Sequence, residues 1–111
     1  MHKQSLHTID SVEVPVIVLN AVENAILRYG NANKGFIDNP YQWFGKKLGY
    51  KTRNYLYRVF ENRIDAKLGY RDIREILKIT QDTCLFQAVE EDLKNMINQN
   101  AVSPNQLTLI K

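Results

Sequence analysis

Apolar residues fall at helical spacing twice in this chain. Val18, Leu19, Val22, Ile26 and Tyr29 recur in steps of three and four, and Leu85, Phe86, Val89, Leu93, Met96 and Ile97 do so again further on. A half-buried strand would place an apolar residue at every second position, so this spacing calls for amphipathic helices that each bury one stripe. The first helix is expected from about Val14, with Pro15 in the first turn where a missing N–H costs nothing, to a stop at Gly30. NANKGFIDNP then reads as a loop, with Asp38 or Asn39 placed to cap a short helix lined by Trp43, Phe44 and Leu48 and ending at Gly49. Thr52 is the expected N-cap of the next helix, which runs to Asn62. Ile73, Ile76 and Leu77 mark another, and Asp82 or Thr83 caps the last. No strand pattern competes, so the expected fold is all-α: one compact domain of about five helices.

The 111 residues, 44% of them hydrophobic, suffice for one modest core and are too few for two. A flexible N-terminus (1–13), a folded domain (14–99) and a tail (100–111) broken by Pro104 are the expected parts. No run approaches the ~18 apolar residues of a membrane span, and the start of the chain lacks the apolar stretch of a signal peptide. A cytoplasmic protein is expected. Cys84, the one cysteine, has no partner for a disulfide or a metal site and reads as a small core residue.

Charge is unevenly placed. Between Tyr41 and Tyr70 stand seven basic residues (Lys46, Lys47, Lys51, Arg53, Arg58, Arg63, Lys67) against the acids Glu61 and Asp65, whereas the rest of the chain is slightly acidic. This basic stretch contains two short helices around a glycine turn, the arrangement that lays a second helix into the DNA major groove. Gly45 would give room where the helices cross, and Gly49 would supply a positive φ at the turn. At 100° per residue, Tyr55, Val59 and the cap Thr52 face the core, while Arg53, Asn54 and Tyr57 face outward with Arg58 at the margin. Arg suits guanine and Asn adenine, and Lys46, Lys47 and Lys51 beside them suit phosphates. Each feature has a plainer reading: a basic run is often only a solvated face, Gly49 a simple C-cap, and Tyr57 a packing residue.

WFGKKLGYKTRNYLYRVFE, with KLGYRDIREILKITQDTCLFQAVEEDL after it, resembles the CII-like regulatory proteins of temperate phages and prophages, small helix-turn-helix proteins linked to the establishment of lysogeny. The resemblance spans about Val14 to Ile97 and is most specific in LGYKTRNYLYR and ILKITQDTCLFQAVEED. It implies a lambda-repressor-like helix-turn-helix domain that binds double-stranded DNA at an operator or promoter, and it makes Lys51, Thr52, Arg53, Asn54, Tyr57 and Arg58 the DNA-facing residues. Leu48, Gly49 and Tyr50 become the turn that sets their angle. The chain departs from the family pattern at Gln81, where a glycine is expected before Asp82, and at FENRID, where the family tends to an asparagine-proline end. Activation and repression both occur in the family, and RNA polymerase is a partner consistent with either.

An enzyme is not expected: the acids are scattered, His2 and His7 lie near the chain start, and no phosphate loop, nucleophile elbow or metal spacing occurs. No cofactor or metal is implied. The main rival is a protein-binding module, such as an antirepressor, acting through the apolar face of the last helix. That face, from Leu85 to Ile97, also exceeds what a five-helix domain needs for its own core, so a homodimer or a dimer of dimers is expected.

Overall fold

Val18, Val22, Ala25 and Ile26 are wholly buried along one side of helix α1 (Val16–Ala32). A stripe of small and β-branched residues lets other helices approach closely, and α1 touches each of the other four helices found among the described residues. Those four are α2 (Pro40–Lys47), α3 (Tyr55–Phe60), α4 (Tyr70–Thr80) and α5 (Thr83–Asn100). The computed structural model describes residues 14–52, 54–61 and 66–100. The expected N-terminal segment, the tail beyond Asn100, Arg53 and Arg63 lie outside them. The all-helical class and the single domain are as expected, and no described helix is long and apolar enough to cross a membrane.

Helix α1 does not stop at Gly30 but continues to Ala32. Gly30 is buried, and a Cβ built on it would collide with Cγ of Pro40 and stand 3.0 Å from the Cβ of that ring. The glycine is there for close approach, and the helix ends later, where the Asn33 side chain donates to the Tyr29 carbonyl (2.8 Å). The chain then returns to Pro40 at the first turn of α2, which Asn39 caps by accepting from the Gln42 amide (3.2 Å). Phe44 fills the core between them, with Tyr29 and Trp43 packed edge-on and tilted at centroid distances of 5.0–6.0 Å.

Helices α4 and α5 are joined by two residues, the first of them in left-handed conformation. Gln81, at φ 50°, occupies the position where glycine costs least. Asp82 next to it caps α5 through the Leu85 amide (3.0 Å) and grips Arg28 of α1 with both carboxylate oxygens (2.8 and 2.9 Å). This pairs the start of α5 with the far end of α1, so α5 runs antiparallel to α1.

Two expectations about α5 change. Cys84 is exposed, because the buried stripe passes through Leu85 and Val89 and turns Cys84 outward. The apolar face is mostly used within the chain: Leu85 and Val89 are buried, and Leu93 and Met96 pack against the same core. Of the large apolar side chains described on this helix, only Phe86 (54% exposed) and Ile97 (57%) remain open to solvent.

Gly30→Ala gains about 1 kcal/mol of helix propensity but must displace Pro40, at a cost of about 1–3 kcal/mol. A net loss of stability in chemical denaturation is expected. Asp82→Ala removes a cap and an ion pair together and should cost about 1–2 kcal/mol at neutral pH. The Arg28 hydrogen bond holds the Asp82 carboxyl below its ordinary value. Its contribution is therefore complete above about pH 4 and is lost as pH falls through the lowered value. The wild type and Asp82→Ala denaturation midpoints should converge only in that acid range.

Candidate nucleic-acid interface

The end of α2 is a Schellman turn. Tyr50 N donates to the Gly45 carbonyl (3.0 Å), Gly49 N donates to the Lys46 carbonyl (3.1 Å), and Gly49 sits at φ 88°. The positive φ expected of Gly49 is present. Gly45 differs from expectation: it is buried, yet a Cβ added to it would meet no atom within 4 Å, so no helix crosses closely there.

After the turn the chain does not enter a helix at Thr52. Lys51 and Thr52 are exposed and non-helical, and α3 begins only at Tyr55 with Asn54 in the N-cap position and no side-chain cap bond. Thr52 is therefore neither cap nor core residue. The cause is visible in two tyrosines. Tyr50 and Tyr55 stack with centroids 4.1 Å apart and planes 19° from parallel, which holds Lys51 and Thr52 outside the helix. The Tyr50 hydroxyl donates to Asp72 of α4, and the Tyr55 hydroxyl donates to the Lys67 carbonyl (2.7 Å) while accepting from the Lys67 amide (2.9 Å). Burial, then the bond to Asp72, pushes the Tyr50 hydroxyl well above its usual pKa, so it stays a donor.

Helix α3 is six residues rather than the expected run to Asn62. It is held by Leu56 and Val59, which are 1% and 2% exposed. Val59 lies in the seam and Tyr55 packs against it, as expected, while Leu56, absent from the expected stripe, is buried with Val59. Residues 48–54 separate α2 from α3, roughly twice the three or four of a tight helix-turn-helix.

The expected contact residues separate into groups. Lys46, Lys51 and Thr52 come together, lining with Gln42, Gly45 and Tyr50 a hollow of about 300 Å³ at the junction of α2 and the turn. Among the described residues no carboxylate lines it. Lys47 lies on another side of α2, its ammonium 5.0 Å from the centroid of the Trp43 ring. Tyr57 is exposed but packs edge-on against Tyr41 at 5.5 Å, and a hydrogen bond with Glu61 raises the pKa of its hydroxyl. Tyr41 in turn donates to Glu23 (2.7 Å), and burial with that bond lifts its pKa to about 12. Tyr57 thus belongs to an acidic, aromatic corner. Arg58 is half-buried with its guanidinium 5.9 Å from the Tyr55 ring, and Asn54 is exposed at the head of α3. Gln42 and Tyr50 were missed as lining residues, although Gln42 stands one helical turn before Lys46, a spacing that could have revealed it.

Comparison with protein-family models, with curated proteins and with solved structures finds no match.

Tyr50→Phe keeps the ring stack and loses the bond to Asp72, a loss of about 1.5–3 kcal/mol for a hydrogen bond to a charged group. Urea denaturation should show that loss, and amide exchange should accelerate at Gly49 and Tyr50 before it does in α1.

Proposed function

We propose that the chain is a sequence-specific DNA-binding regulator that applies the end of α2, the Gly49 turn and the head of α3 to duplex DNA. The observation that carries this reading is the grouping of Lys46, Lys51 and Thr52 around a hollow that no acid lines among the described residues. Phosphate contacts need cations and hydroxyl donors without a nearby carboxylate to compete for them. The turn strengthens the case, because its two backbone bonds occupy the Gly45 and Lys46 carbonyls, acceptors that would otherwise repel a phosphate. Arg53 and Asn54 come next in the sequence, residue types that can read base edges, and Asn54 is exposed at the head of α3. The helix-turn-helix form and a CII-like role in lysogeny belong to this proposal. With residues 48–54 between its helices, the unit is a widened version of that form.

Six residues of α3, ~9 Å of helix, address few base pairs, so a two-fold pair would extend the site. Phe86 and Ile97 are the apolar surface that α5 leaves for such pairing. A second reading, a protein-binding module, is favoured by one observation. An apolar groove of about 350 Å³ runs between α4 and α5, with Leu77 and Phe86 on it and Arg74 and Lys78 among its lining.

Binding to duplex DNA should weaken steeply with salt, and Lys46→Gln and Lys51→Gln should each reduce the slope of log affinity against log salt by about 1. Lys47→Gln should do less. Arg53→Ala or Asn54→Ala should cost about 1–3 kcal/mol on a cognate site selected from a random-sequence pool, and little on unrelated duplex. Fluorescence anisotropy measures all five variants. A salt-independent response would remove DNA from the reading, and a wild type that ignores duplex DNA would leave the second one.

A further inference from the structure

Gly45 poses a question that the fold does not answer. It lies inside α2, where glycine weakens a helix relative to alanine. Its φ is not positive, so no turn requires it, and a Cβ there would meet nothing within 4 Å, so no neighbour requires it either. Gly30 is the contrast, since Pro40 occupies the space its Cβ would take. What the missing side chain of Gly45 does is leave the hollow open: Gly45 lines it together with Gln42 and Lys46 from its own helix and Tyr50, Lys51 and Thr52 from the turn.

The chemistry around this opening is of one kind. Among the described residues its lining takes in two lysines, a threonine and a glutamine, and the Tyr50 hydroxyl is committed to Asp72, leaving that ring as wall. The carbonyls of Gly45 and Lys46, which would put negative charge beside a ligand, accept the turn amides of Tyr50 and Gly49. An anion rich in acceptor oxygens and without donors is the ligand for such a set. We infer that this hollow is a seat for a single phosphoryl group and that Gly45 is its positioning residue, allowing a phosphate of the DNA backbone to approach α2 more closely than any side chain would permit. The source, a DNA phosphate, rests on the function proposed above. The phosphoryl chemistry does not.

Gly45→Ala tests this without disturbing the fold, since the added methyl has open space and suits a helix. Its melting temperature should equal or exceed that of the wild type, while affinity for duplex DNA falls about tenfold at low salt and the salt slope drops by about 1, the signature of one lost phosphate contact. A second arm titrates inorganic phosphate into the 15N-labelled full chain: amide signals of Gly45, Lys46, Lys51 and Thr52 should shift together in the wild type and not when residue 45 is alanine. DNA binding unchanged in affinity and slope in Gly45→Ala would overturn the seat while leaving DNA binding intact. A wild type that ignores duplex DNA but shows the phosphate shifts, abolished by Gly45→Ala, would uphold the phosphoryl seat and end the DNA reading. Absence of both responses in the wild type would overturn both.

Discussion

Everything in this domain hangs on how closely chains can approach one side of α1. Val18, Val22 and Ala25 keep that side thin, and Gly30 removes the last obstacle at its end, so Pro40 can close directly onto the helix. Close approach multiplies dispersion contacts, each small, over the whole seam. It also fixes where α2 starts, and a helix of eight residues has no freedom to correct a wrong start further along. The position of Lys46 and of the Gly49 turn is therefore decided at Gly30, near the end of α1 and a loop before α2.

Around this seam four side-chain-to-side-chain fastenings each join two parts of the fold among the described residues. Asp82 links α5 to α1, Tyr50 links the turn to α4, Tyr70 links the start of α4 to Asp92 of α5, and Tyr41 links α2 to Glu23 of α1. Three of the four use a tyrosine hydroxyl on a carboxylate. The arrangement suits a small core, because a tyrosine contributes apolar area with its ring and orientation with its hydroxyl.

Periodicity revealed the helices because it depends only on which residues avoid water, and α1, α2 and α5 were legible from it almost to their ends. The caps were legible to within one residue, Asp38 or Asn39 and Asp82 or Thr83, since capping is a local matter of a short acceptor side chain; the structure selects Asn39 and Asp82. What the pattern missed depended on contacts between distant parts. Gly30 looks like a stop signal until Pro40 is seen against it. Thr52 looks like a cap until the stacking of Tyr50 on Tyr55 moves the helix start to Tyr55, which in turn brings Leu56 into the core. Of the basic residues grouped by sequence, Lys46 and Lys51 meet while Lys47 settles over Trp43, a separation set by the 100° between successive residues on α2 and by an aromatic neighbour that charge counting ignores. Gly45 was assigned to a crossing that does not occur, because spacing alone cannot tell a glycine with a neighbour from a glycine without one.

The brevity of α3 carries a consequence for order itself. Six residues are well below the length at which a helix holds together alone in water, since nucleation fixes several dihedral angles for the first hydrogen bond. Its helical state is thus borrowed from the core through Leu56 and Val59 and from the tyrosine stack at its head. Any change that loosens those two seats returns the segment to an ensemble of conformers, even if α1 and α5 stay folded. The surface next to the turn therefore reports on the packing beneath it: the conformational entropy of one end of the molecule is set by two aliphatic side chains buried out of sight of solvent.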